Sequence, residues 1–198
     1  MSSRLYFRYS VMNSAKSANL IMVAHNYKEQ GKRVLLIKPN LDTRTPKGVI
    51  ESRVGVSVPC IDIDKNDNLV EIYKQEDNVV NSKFQAILVD EASFLTKEQV
   101  KQLAYIVDTF DIPVLAYGLK NSYIDSELLE GSKALLYYAD KIEEIKNICH
   151  CGKKAIMNLR VIDGKPVYNG EMISCGDTKP TSDYYIPVCR KHYYNPVL

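Results

Sequence analysis

"SVMNSAKS", residues 10–17, ends in the Lys-Ser pair of a phosphate-gripping loop but lacks both glycines that such a loop normally carries. A Walker A string, Gly-x-x-x-x-Gly-Lys-Ser/Thr, needs backbone N–H groups converging on phosphate oxygens. It also needs a lysine that reaches the terminal phosphates and a hydroxyl for Mg²⁺. Ser10 and Ala15 stand at the glycine positions, whereas Lys16 and Ser17 fit. Alone, the string reads equally as an ordinary Lys-Ser pair at a helix start, so its neighbours decide.

Upstream, "RLYFRY" (4–9) alternates as a strand does. Downstream, Leu20, Val23, Ala24 and Tyr27 recur at helical spacing until Gly31 offers a stop, and "RVLLIKP" (33–39) reads as a buried strand closed by Pro39. Strand, loop, helix, strand is the βαβ unit of a parallel sheet. It sets the loop where a phosphate meets both N–H groups and the positive end of a helix dipole. Further on, "FQAILVDEASF" (84–94) is an apolar strand ending in Asp90 and Glu91. A strand-terminal Asp orders Mg²⁺ in such folds. Asp-Glu alone also suits a solvated turn; with the strand–"AKS"–helix order it points to nucleotide binding.

The remaining chain extends this pattern. Residues 40–65 read as an exposed loop followed by the strand "VSVPCIDI", and "NLVEIYKQED" (68–77) as a helix. "TKEQVKQLAYIVDTF" (96–110) is an amphipathic helix with Thr96 as N-cap and Val100, Leu103 and Val107 on one face. "IPVLAYGL" (112–119) is a buried strand. "DSELLEGSKALLYYAD" (125–140) gives a helical stretch interrupted near Gly131, and "KIEEIKNI" (141–148) a last strand leading into cysteines.

With 198 residues, 45% of them hydrophobic, one main core and a small appended unit can form. Composition shifts near Ile148, which divides the chain into 1–147 and 148–198. The net charge of +2, from 26 basic and 24 acidic residues, gives no electrostatic footprint for nucleic acid or a membrane surface. The N-terminus lacks a secretion signal, and no run reaches the roughly 18 apolar residues of a membrane span. A soluble, cytoplasmic protein is expected.

In a reducing setting, the odd set Cys60, Cys149, Cys151, Cys175 and Cys189 is poorly explained by disulfides. "CHC" (149–151) and "CRKH" (189–192) can converge as Cys149, Cys151, Cys189 and His192. Three thiolates and an imidazole form a closed tetrahedral set suited to structural Zn²⁺. Lys153, Lys154, Arg190 and Lys191 would offset the thiolate charge. The C-x-C spacing is less specific than C-x-x-C. His150 and Cys175 compete as ligands, and merely buried cysteines are the other reading.

Taken in order, these motifs resemble the type II thymidine kinases, the bacterial and phage-like branch in particular. "LYFRYSVMNSAKSANL" is similar to that family's phosphate loop, "KPNLDTR" to its mobile loop, "VDEASF" to its catalytic strand, "AYGL" and "LLEGSKALL" to its later core, and "CHCGKKA" with "VCRKH" to its zinc site. The resemblance implies a P-loop (RecA-like) α/β fold, a parallel sheet flanked by helices. A small zinc-binding lasso domain would close over the nucleoside. It implies transfer of the ATP γ-phosphoryl group to the 5′-hydroxyl of thymidine or deoxyuridine.

By the same resemblance Ser10, Val11, Met12, Asn13, Ser14, Ala15, Lys16 and Ser17, with Asp90, Glu91, Ala92 and Ser93, would hold the nucleotide. Lys16 would stabilise transferring charge, Ser17 and Asp90 would hold Mg²⁺, and Glu91 would be the general base. Met12, Asp42, Arg44, Phe94, Asn158 and Tyr185 would meet the nucleoside, although Phe94 and Tyr185 also read as core aromatics. A homotetramer and inhibition by dTTP would follow.

Three positions depart from the family pattern: Ala15 for glycine, Ser93 for glutamine, and Ser122 for an acidic residue. If Ala15 needs positive φ, its Cβ costs about 1–2 kcal/mol. These departures leave a second reading, a weak or inactive relative kept for nucleotide or protein binding.

Overall fold

The computed structural model describes residues 2–40, 46–78, 83–171 and 182–197. The βαβ unit forms as read: β1 (Leu5–Ser10), α1 (Lys16–Glu29) and β2 (Arg33–Pro39). There follow β3 (Val49–Glu51), β4 (Ser57–Pro59), β5 (Ile61–Ile63), α2 (Leu69–Asn78), β6 (Phe84–Val89), α3 (Lys97–Phe110), β7 (Val114–Leu119), α4 (Glu130–Tyr138) and β8 (Lys141–Glu144). A six-stranded sheet takes the order β5-β2-β6-β7-β1-β8, every neighbouring pair parallel.

Alternation along the strands sends residues to two covered faces. Leu5 and Phe7 of β1, Leu35 and Ile37 of β2, Ile87 and Val89 of β6, and Val114 and Ala116 of β7 pack under α2, α3 and α4. Tyr6, Val34, Leu36, Leu88, Leu115 and Tyr117 turn the other way, toward Leu20 and Ala24 of α1 and Ile50 and Val58 of the β3–β4 hairpin. The α/β architecture, a parallel sheet with helices on its faces, is therefore as the sequence indicates.

Helix α3 begins where expected. Thr96 Oγ1 accepts from Gln99 N at 3.2 Å and Gln99 Oε1 accepts from Thr96 N at 3.1 Å, closing a capping box. Val100, Leu103, Ile106 and Val107 are all buried, each contributing roughly 1.5–3 kcal/mol by leaving water.

Four details differ from the sequence reading. The 40–65 stretch holds three short strands, because Ile50 pairs antiparallel with Val58 while Ile61 joins the edge of the main sheet. β6 stops at Val89, and 92–94 form a 3-10 turn, since Glu91 takes a left-handed conformation (φ 47°). Helix α4 starts at Glu130, so Gly131 lies in its first turn rather than interrupting a longer helix. A Cβ there would sit 2.3 Å from Ala92 O and 2.8 Å from Ser93 O; only glycine lets α4 press onto the turn that follows β6.

Nor is β8 the last strand. The C-terminal part adds β9 (Met157–Ile162), β10 (Lys165–Val167), β11 (Asp183–Val188) and α5 (Arg190–Tyr194), with the strands antiparallel in the order β10-β9-β11. Leu159, Val161, Val188 and Tyr193 form their own buried cluster, which Val11 of the 10–17 loop joins. No helix of the described residues is long and apolar enough to cross a membrane.

Candidate functional site

The carboxyl ends of β1 and β6 lie on either side of β7, and the candidate site is built there. In parallel α/β sheets this edge carries the ligand. The peptide chain at 10–17 turns sharply through two left-handed residues, Asn13 (φ 58°) and Ala15 (φ 55°). Ala15 therefore does take the conformation that favours glycine, its methyl group exposed to solvent. Ser10 does not; its buried hydroxyl donates to Ile145 O of the neighbouring segment.

Carbonyl groups of the loop are tied off on the protein side. Val11 O accepts from Ser14 Oγ at 2.7 Å and from the buried Lys16 Nζ at 2.9 Å, and Ser10 O accepts from Lys120 N. Ala15 O begins the helix by accepting from Asn19 N. The backbone N–H groups of Asn13, Ser14, Ala15 and Ser17 have no acceptor among the described residues. Such N–H groups at a helix N-terminus make an anion cradle. The first turns of α1 are steadied from below: Arg8 Nη1 donates to the buried Tyr117 hydroxyl, which donates to Asn19 Oδ1 at 3.0 Å.

Ser17 Oγ donates to Asp90 Oδ2 at 2.8 Å, joining the loop to the end of β6. Asp90 is 4% exposed, and its Oδ1 has no hydrogen-bond partner among the described residues. Burial, reinforced by the Glu91 charge, raises Asp90 to about 7, against the pull of the Ser17 hydroxyl, the Glu91 N–H and Lys16. An orphaned buried carboxylate oxygen beside a serine hydroxyl is a donor set that fits Mg²⁺ and its waters. Glu91, the next residue, is half-buried at the same edge.

The turn bearing these carboxylates is wedged in place. Ser93 Oγ is buried and accepts from Leu119 N, and Ser132 Oγ donates to Leu119 O at 2.7 Å. Ala92 and Ser93 thus face the interior. Phe94 is half-buried and belongs to none of the hydrophobic clusters. Ser122 is buried and caps its own turn, accepting from Ile124 N. Asp42 and Arg44 lie outside the described residues, as does Cys175.

From the C-terminal sheet, the buried Asn158 of β9 uses both ends of its amide. Oδ1 accepts from Met12 N at 2.8 Å and Nδ2 donates to Asn121 O at 3.1 Å. Tyr185 of β11 is 4% exposed and packs edge-on against Tyr123, with ring centroids 5.7 Å apart. Arg160 covers both rings and grips Asp183 with two bonds of 2.9 and 2.6 Å. Sequence reasoning missed Arg160, Tyr123, Asn121 and Asn147, and it missed Arg53, whose guanidinium donates to Asn13 Oδ1. Lone polar residues in short strands and turns carry no spacing signal that would have found them.

The four predicted metal ligands come together. Cys149, Cys151, Cys189 and His192 place their donor atoms within 4.8 Å of one another. The Cys151 and Cys189 sulfurs are 3.8 Å apart, and His192 Nδ1 is 3.3 Å from Cys149 Sγ and 3.7 Å from Cys189 Sγ. Bonds of about 2.3 Å arranged tetrahedrally have edges of about 3.8 Å, so this Cys₃His cluster is consistent with zinc. Burial pushes the Cys149 thiol up, but N–H groups of Cys151 and Cys189 and the His192 ring outweigh it and bring it down to about 6. His150 stacks on the His192 ring, with centroids 4.3 Å apart.

The thymidine kinase family model matches residues 3–193. A thymidine kinase of Lactococcus lactis subsp. lactis is 49% identical over 99% of this chain and 100% of its own length. One from Lactiplantibacillus plantarum is 48% identical over 98% and 97%, and one from Streptococcus pyogenes serotype M3 is 46% identical over 99% and 100%.

Proposed function

The chain belongs to the thymidine kinase family, and from that premise we propose that the 10–17 loop and the β6 terminus form a single phosphoryl-transfer site. The activity is thymidine kinase: the γ-phosphoryl group of ATP passes to the 5′-hydroxyl of thymidine, giving the 5′-monophosphate and ADP. The observation that carries the site assignment is the 2.8 Å bond from Ser17 to an Asp90 whose other oxygen is buried without a partner among the described residues.

In this site the loop N–H groups hold the phosphates, and Lys16 leaves Val11 O to meet the charge that spreads over the transferring group. Glu91 takes the proton of the 5′-hydroxyl. The new bond joins the 5′-oxygen to the γ-phosphorus as the bond to the bridging oxygen of ADP breaks. Ser17 and Asp90 would hold Mg²⁺, which neutralises charge on the β- and γ-phosphates when bound. Phe94, Met12, Asn158 and Tyr185 line the nucleoside side, and Asp42 and Arg44, outside the described residues, are assigned to the substrate on the family resemblance alone.

The reading as an inactive relative rests on Ala15 and Ser93. Ala15 reaches the left-handed conformation despite its methyl group, and Ser93 is committed to Leu119 in the interior. Neither obstructs the cradle.

We further propose the division 1–147 and 148–198, supported by the separate buried cluster of the second sheet. Zinc is assigned a structural role, because all four cluster ligands come from the protein and leave no open position. Deoxyuridine as a second substrate, inhibition by dTTP, a homotetramer and a cytoplasmic location complete the proposal; dTTP offers a triphosphate to the same N–H groups. The test is formation of 5′-monophosphate from thymidine and deoxyuridine with Mg-ATP, with E91Q as control.

A further inference from the structure

We propose that Asn147, just ahead of the metal cluster, is a positioning residue for ATP: its amide turns two loop carbonyls outward so that the loop N–H groups face the phosphates. The inference rests on the assignment of ATP to the 10–17 loop. Asn147 Nδ2 donates to both Met12 O and Asn13 O, each at 3.1 Å. In a trans peptide the carbonyl and the following N–H point in opposite directions. Holding Met12 O and Asn13 O on one side therefore aims the N–H groups of Asn13 and Ser14 to the other, where neither finds an acceptor among the described residues.

This loop needs such a hold. Asn13 sits at positive φ without being glycine, so rotation of the Met12–Asn13 peptide, whose oxygen Asn147 holds, would relieve strain and turn that oxygen toward the phosphates. The Asn147 amide is itself fixed. Its Oδ1 accepts from Ile148 N at 2.8 Å and its backbone O accepts from Ala155 N, while Cys149 N donates to Lys153 O. The segment that carries the first metal ligands thereby sets the phosphate loop.

The variant N147D separates the two tasks of the amide, because it keeps an acceptor for Ile148 N and replaces the donor with a carboxylate oxygen. Binding of Mg-ATP and of thymidine is measured separately by calorimetry, with zinc content and thermal midpoint recorded for each protein. N147D is expected to raise the Mg-ATP Kd about tenfold or more, with thymidine Kd changed by less than about threefold and zinc retained. N147A, which also removes the donor, gives the same selective weakening and serves if the aspartate variant does not fold. An ATP Kd within about twofold of wild type, ATP and thymidine weakened together, or loss of zinc overturns the proposal. Failure of wild type to bind Mg-ATP would instead remove the site assignment, and this inference with it.

Discussion

The phosphate loop and the metal cluster lie one amide apart, yet they are made by opposite means. In the proposed site the loop would bind through its backbone, so what counts is the direction of each N–H, and Ser10 and Ala15 can stand where glycines are usual. The cluster would bind through side-chain atoms, so it depends on the identities of Cys149, Cys151, Cys189 and His192, whose donor atoms lie within 4.8 Å of one another. A backbone site tolerates changed letters at a cost in strain. A side-chain site loses its ligand with one change.

The largest effect that could break this contrast lies at the cluster. C189S should lose zinc, leaving under about a tenth of an equivalent by metal analysis, and with it the folded second sheet, since structural zinc contributes roughly 10 kcal/mol or more. Retention of zinc and wild-type melting would contradict a side-chain-made site. Next comes Lys16, the loop residue whose side chain is assigned to the transferring charge. K16A should lower kcat by roughly 10²–10³, the scale of losing one preorganised donor to transition-state charge.

A smaller effect is expected at Gly131. G131A places a Cβ against Ala92 O, and overpacking of this kind costs about 1–3 kcal/mol. The thermal midpoint should fall by several degrees, with kcat reduced because the turn after β6 carries Asp90 and Glu91. An unchanged midpoint would mean that α4 does not wedge that turn.

Asp90 makes stability depend on pH. Folded Asp90 keeps its proton up to about 7, whereas an unfolded Asp releases it near about 4. The folded chain binds more protons between these values, so stability from this group is lost as pH rises from about 4 to about 7. In metal-free protein the thermal midpoint should decline across that window, and D90N should flatten the decline.

The smallest effect sharpens the contrast within the loop itself. A15G should stabilise by about 1 kcal/mol by removing a Cβ from a left-handed residue, a rise of roughly 2–4 °C in midpoint. S10G should give no gain, because Ser10 is not left-handed and its hydroxyl bond to Ile145 O would be lost. Equal effects at the two positions would show that the missing glycines are interchangeable.

The same contrast explains what could be read from the letters. The βαβ unit, α3 with its Thr96 cap and the four cluster ligands were legible, because periodicity, capping chemistry and ligand spacing are local properties. The β10-β9-β11 sheet was not, since its short strands mix Arg160, Asp183 and tyrosines without clean alternation. The start of α4 was misread because Gly131 there serves a close contact with Ala92, which only tertiary packing reveals. Asn147 looked like an ordinary polar residue, and Asn158 stood out only through the family resemblance; their contacts with loop carbonyl and N–H groups come from the tertiary fold.

The central claim, that the loop and the β6 terminus make one working kinase site, is tested most directly at Glu91. Purified wild type with Mg-ATP should convert thymidine to its 5′-monophosphate. E91Q should bind Mg-ATP with unchanged affinity while kcat falls by roughly 10²–10⁴, the range for loss of a general base. No product from wild type, or E91Q turning over at the wild-type rate, would contradict it.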